Sequence, residues 1–200
     1  MRSQPTPPWG IDAKVTRGPH SAAPGVSLSW ITHARIATLA PFRHRKEECV
    51  RDLATHWSLD WPDAGRITTK GALSAAWNGM SDIMLTGPQS EFDLEVLKAQ
   101  FADRAAIVDQ SSGRVLFQLS GAKAQECLMK LVEIDLHPSV FKTGMGALTA
   151  LHHMSVGVFK RADDPVFLIH CTRSYAADVW HSIGEAGEEY GLVMHTLAHR

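Results

Sequence analysis

The sequence predicts an α+β protein of two small sub-domains, each a mostly antiparallel sheet with helices packed on it. Three observations carry that prediction. Short apolar stretches of strand length alternate with segments whose apolar residues recur at helical spacing. The Asn78-Gly79 dipeptide links two strand candidates directly, as a hairpin does, because both residues tolerate positive φ. The order strand–helix–strand–strand–helix–strand runs through the first half and returns in the second, with no sequence identity that would prove a duplication. The expected organisation is an extended or disordered arm over 1–26, a first sub-domain over 27–103 and a second over 104–200.

The arm holds five of the ten prolines and three of the fifteen glycines and has no hydrophobic period. A strand-like stretch rich in Leu, Ile and Trp follows near Ser27–Ala40. Cys49, Val50, Leu53 and Trp57 then share one face of a helix over Arg43–Trp57. Pro62 and Gly65 mark Ser58–Gly65 as a loop. Strands are expected over Ile67–Trp77 and Met80–Thr86, and Gly87-Pro88 stops the second. Behind it Ser90 can cap a helix, with Asp93 three residues on and Leu94, Leu97 and Phe101 on its buried face.

In the second half Ala105–Asp109 reads as a buried strand, and Arg114–Ser120 alternates with Val115, Phe117 and Leu119 on one face. Ala124, Cys127, Leu128 and Leu131 stand at i, i+3, i+4 and i+7 of a helix. Leu148–Lys160 reads as one or two strands, Asp163-Asp164-Pro165 as a turn, and Val166–Cys171 as a continuous apolar strand. A last helix over Ser174–Tyr190 turns Val179, Trp180, Ile183 and Gly187 inward, and a short strand over Leu192–Thr196 follows.

Composition excludes several classes. The 200 residues are 44% hydrophobic and 20% charged, enough apolar material for a core without disulfide or metal staples. With 20 basic against 21 acidic residues the net charge is −1, so no basic footprint for nucleic acid exists; the run Arg43-His44-Arg45-Lys46 is answered at once by Glu47-Glu48. No stretch reaches the roughly 18 apolar residues of a membrane helix, and the first residues show no apolar core of a secretory signal. Three widely spaced cysteines, Cys49, Cys127 and Cys171, argue against a disulfide framework and for a reducing, cytoplasmic setting.

The candidate chemistry is sparse. Eleven histidines invite a metal, yet His152-His153 and His170-Cys171 are adjacent in strands and point to opposite faces, and no Cys-x₂-Cys or His-x₃-His pair occurs. Gly144-Met145-Gly146 resembles part of a dinucleotide fingerprint, but position 149 is Thr and a strand follows, so a turn is the better reading. Ser120-Gly121 lacks the nucleophile elbow. Asp103, Asp109 and Asp135 stand at element ends, where Asp commonly caps or turns. Cys127 and Cys171 fall on buried faces, where a thiol is inert. Of six tryptophans, Trp57, Trp77 and Trp180 suit core positions, whereas Trp9 and Trp61 stand in tail and loop, as interface aromatics do. By residues alone the chain is an interaction or scaffold domain.

Its second half also resembles the gamma subunit of heterotetrameric sarcosine oxidase. The resemblance rests on Ile107-Val108-Asp109-Gln110-Ser111, then Val115-Leu116-Phe117-Gln118-Leu119-Ser120-Gly121 and the helix Ala124 to Leu131. Asp135-Leu136-His137-Pro138 with Phe141, Asp163-Asp164-Pro165-Val166-Phe167, and Thr172-Arg173-Ser174-Tyr175-Ala176-Ala177 leading to Trp180 continue it in order. The run covers roughly 105–191; the first half matches in layout only.

The resemblance implies a trimmed relative of the folate-binding glycine-cleavage T-protein fold. It further implies a subunit of an oxidoreductase acting on CH–NH donors, which demethylates sarcosine to glycine, passes the one-carbon unit to tetrahydrofolate and yields hydrogen peroxide. Alpha, beta and delta subunits are the implied partners, with FAD, FMN, NAD, zinc and tetrahydrofolate held on those chains and none on this one. It supplies no catalytic, cofactor or metal residue to carry over. Asp135, His137, Arg173 and Tyr175 are conspicuous motif positions, open to a role as helix exit and helix cap or as interface, beside Trp9 and Trp61. A free-standing folate protein is the alternative, with Asp109 the one carboxylate placed to hold a pterin. A sister complex acting on another N-methylated amine, such as dimethylglycine, is a third reading.

Overall fold

The computed structural model describes residues 15–18, 23–32 and 34–198. Among these residues, twelve strands, four α-helices and one 3₁₀ turn divide between two units. One comprises the described residues up to Thr32 together with Gly113–Ala198, and the other runs up to Ser112. The expected α+β class holds in both.

The unit that ends at Ser112 is a five-stranded, wholly antiparallel sheet. Its strands are β3 (Ala34–Pro41), β4 (Ile67–Lys70), β5 (Leu73–Trp77), β6 (Ile83–Pro88) and β7 (Ala105–Asp109), in the order β4-β5-β6-β3-β7. Helix α1 (Lys46–Trp57) contributes Cys49 and Leu53, one turn apart, and α2 (Leu94–Phe101) contributes Leu94, Leu97 and Phe101 to a core with Ala37, Leu39, Ile83 and Leu85. Of the basic run only Lys46 lies in α1, so the helix begins there instead of at Arg43. The Asn78-Gly79 dipeptide opens a hairpin, but the connection spans residues 78–82 rather than two, and the second strand begins at Ile83 instead of Met80. Gly79 takes φ +120°, Asn78 N–H donates to Asp82 C=O at 3.0 Å, and β5 runs antiparallel to β6. The strand expected over Ile67–Trp77 is broken into β4 and β5 by a turn at Gly71, φ +59°.

Ser90 does not cap α2. Residues 88–92 make a turn of their own, with Phe92 N–H on Pro88 C=O at 2.9 Å, and this delays the helix until Asp93 can cap it. The Asp93 carboxylate accepts the Glu95 and Val96 N–H groups at 2.9 and 3.4 Å.

The other unit is a seven-stranded sheet. Its strands are β1 (Val15–Arg17), β2 (Val26–Thr32), β8 (Arg114–Ser120), β9 (Gly146–Leu151), β10 (Met154–Ala162), β11 (Val166–Thr172) and β12 (Leu192–Ala198). They lie in the order β1-β12-β2-β8-β11-β10-β9, and only β12 and β2 pair in parallel. Helices α3 (Ala124–Met129) and α4 (Ala176–Glu188) pack together on one face, closing a core of Leu28, Phe117, Leu128, Val158, Ile169 and Trp180.

Three sequence expectations change. The boundary lies after Ser112 rather than near residue 103, because β7 hydrogen-bonds to β3 through Ala37↔Asp109 to Pro41↔Ala105. The stretch 27–40 is two strands, not one, since β2 pairs with β8 and β12 while β3 pairs with β6 and β7. β7 is an edge strand with an exposed side, not a buried one. Of the arm, the described residues Val15–Arg17 pair antiparallel with β12.

Candidate functional site

A buried polar grouping of the seven-stranded sheet lies on the face opposite α3 and α4. Strand alternation puts His170 there, one residue before the core thiol of Cys171. The register sets His170 against Leu116 of β8 and against Gly157 of β10, and sets Phe159 against Gly146 of β9. Each ring lies over the glycine opposite. A Cβ on Gly157 would come 2.1 Å from His170 Nε2, and one on Gly146 would come 1.9 Å from the Phe159 ring. The two rings stack at 5.8 Å with 21° between planes. Thus Gly146, suggestive of a dinucleotide turn in sequence, is a floor tile under Phe159.

His170 is 2% exposed and takes a 3.0 Å hydrogen bond at Nδ1 from the Arg114 guanidinium. A guanidinium only donates, so Nδ1 accepts and the ring proton sits on Nε2, which has no acceptor among the described residues. Burial, and secondarily the Arg114 charge, push the imidazole down to about 3, so the ring is neutral at physiological pH. Burial likewise lowers Arg114. The buried thiols of Cys127 and Cys171 are pushed up to about 11 and about 12, which removes thiolate reactivity. Among the described residues no group of three or more His, Cys, Asp or Glu side chains could hold a metal ion, and no helix is long and apolar enough to cross a membrane.

The positions singled out in sequence do not converge. Trp9 lies outside the described residues. Trp61 is half-buried against the five-stranded core, with the Lys46 ammonium 5.8 Å from its ring, beside the fully exposed Met80 of the hairpin. Asp135 and His137 belong to one turn. The Asp135 carboxylate accepts the His137 N–H at 2.8 Å, and the His137 carbonyl accepts the Val140 and Phe141 N–H groups, which seats Leu136 and Phe141 in the core. Arg173 opens the 3₁₀ turn Arg173–Tyr175 ahead of α4; its N–H donates to Gly113 C=O at 2.8 Å, and Tyr175 is 39% exposed. Asp109 is exposed at the end of β7 and accepts the Ser111 N–H at 2.9 Å. Burial acts to raise its carboxyl, but the Ser111 hydrogen bonds together with the charges of Arg35 and Lys98 hold it below the usual range. The His170–Arg114–Gly157 grouping escaped sequence reasoning because its members are 13 or more positions apart and meet only through register.

Taken together, the chain is a two-unit α+β protein in which, among the described residues, no polar cluster forms a recognisable catalytic or metal centre. Residues 51–189 match the sarcosine oxidase, gamma subunit family, and the chain belongs to that family. No curated protein sequence matches it. Among solved structures it is similar to a chain of the heterotetrameric sarcosine oxidase from Corynebacterium sp. U-96 in complex with pyrrole 2-carboxylate. That likeness has a TM-score of 0.71 at 20% identity and covers 82% of this chain and 85% of that one. It is also similar to the glycine cleavage system aminomethyltransferase T from Bartonella henselae, with a TM-score of 0.61 at 14% identity over 86% of this chain and 48% of that one. At these identities the likenesses speak to the fold.

Proposed function

We propose that this chain is the gamma subunit of a heterotetrameric sarcosine oxidase and supports assembly rather than chemistry. Membership of the gamma subunit family over residues 51–189 is the observation that carries the reading. The partners are the alpha, beta and delta chains of the same oxidase. The complex demethylates sarcosine to glycine oxidatively, passes the one-carbon unit to tetrahydrofolate and releases hydrogen peroxide in the cytoplasm. FAD, FMN, NAD, zinc and tetrahydrofolate belong to the partner chains in this reading. The neutral, buried His170 and the unreactive thiols agree with a structural part, because none is poised for proton transfer or nucleophilic attack near neutral pH.

The test is purification through a tag on this chain from cells that also express the neighbouring oxidase subunits. A yellow assembly several times heavier than the chain, releasing hydrogen peroxide on addition of sarcosine, is the expected result. A colourless chain that ignores the large subunits and binds folate tightly would replace this reading with the free-standing folate protein.

A further inference from the structure

An open groove of about 750 Å³ lies in the seven-stranded unit, bounded by the start of α3, the 138–143 loop and the β10–β11 turn. Its size is that of a small-ligand site. Lys160 lines it. Alternation along β10 puts Lys160 on the helix face with Val156 and Val158, and a register shift between Lys160 and Ala162 interrupts the ladder just there. The backbone is pinned as well, with Lys160 N–H on Met145 C=O at 2.8 Å and Gly144 N–H on Lys160 C=O at 2.9 Å.

The residue is 4% exposed, yet its ammonium has one acceptor among the described residues, the Phe141 carbonyl at 3.3 Å. An ammonium carries three donors, and burying it without a counter-charge is costly. The acids of the same groove are engaged elsewhere: Glu126 pairs with Lys123 at 2.8 Å, and Asp163 accepts the Thr143 hydroxyl at 2.6 Å. A second cation, Lys142, is exposed on the rim and forms no ion pair among the described residues.

We infer that this groove is a binding site for a compact oxyanion, a carboxylate or a phosphate group, with Lys160 as its buried anchor and Lys142 as its rim charge. The anion takes the two unused donors of Lys160 and supplies the counter-charge that the chain itself withholds. Asp163 sets the selectivity: its negative charge in the same groove limits how much anionic charge can enter.

The experiment is isothermal titration of the full chain with inorganic phosphate and, separately, with acetate, at constant ionic strength. One saturable site is expected for at least one of them, and the arm that binds tells phosphate from carboxylate. Lys160→Met keeps the aliphatic stem and is expected to lose about tenfold or more in affinity, the worth of a charged hydrogen bond. Asp163→Asn is expected to bind more tightly and Lys142→Met more weakly. No saturable binding of either anion overturns the inference, as does an unchanged affinity in Lys160→Met. If that variant does not fold, an affinity unmoved by both Asp163→Asn and Lys142→Met overturns it equally.

Discussion

Replacing Gly157 by alanine isolates the contact that seats His170. The added Cβ would stand 2.1 Å from Nε2, more than an ångström inside ordinary contact, and 2.6 and 2.7 Å from two ring carbons. The ring cannot readily tilt away, because Arg114 holds Nδ1 at 3.0 Å and the Phe159 ring stacks on its face. Overpacking of this kind costs about 1–3 kcal/mol. In a His170→Ala background the obstacle is gone, and the same change should stabilise by about 0.5–1 kcal/mol, the ordinary advantage of Ala over Gly within a strand. Urea unfolding of the four members of the cycle reads both numbers at matched m-values. The sign reversal is the prediction. A Gly157→Ala cost that is the same in both backgrounds, or absent from the wild type, would refute the packing argument.

Other consequences are open to direct measurement. Because His170 titrates at about 3 folded against 6.5 unfolded, the unfolded chain binds one more proton between those values. Its contribution to stability is therefore complete above pH 6.5 and falls with pH by about 1.4 kcal/mol per pH unit down to about 3; His170→Leu should flatten that part of a urea-midpoint-against-pH curve, and an unchanged slope would contradict the buried neutral ring. Asp93→Ala removes two N-terminal hydrogen bonds from α2 and should cost about 1 kcal/mol in chemical denaturation, whereas Ser90→Ala should stay within about 0.5 kcal/mol. The three cysteines are buried free thiols, so a thiol reagent should label Cys49, Cys127 and Cys171 only as fast as the chain opens; rapid native labelling of any of them would count against the core described above.

Much of this molecule was legible locally. The i, i+4 pairing of Cys49 with Leu53 and the alternation of Val115, Phe117 and Leu119 each lie within a few residues, and each appears in the structure as its spacing implies. Family membership was readable for the same reason, as an ordered string of short motifs. Other features were not local. The cap of α2 passed from Ser90 to Asp93 because Phe92, buried in the core, holds the preceding turn. The sheet to which a strand belongs depends on partners far along the chain: Asp109 pairs with Ala37, and Val26 with Leu192. Register also laid His170 over Gly157 and Phe159 over Gly146, and the crossing of β10 beside the 138–143 loop left Lys160 4% exposed with its ammonium on the Phe141 carbonyl. Helical and strand periodicity are properties of one segment's backbone, so sequence alone determined the α+β class and where helix gives way to strand, though not how each strand stretch divides. Burial and pairing are properties of segments that meet, so only the tertiary structure decided which polar groups lost their water and which neighbour, if any, replaced it.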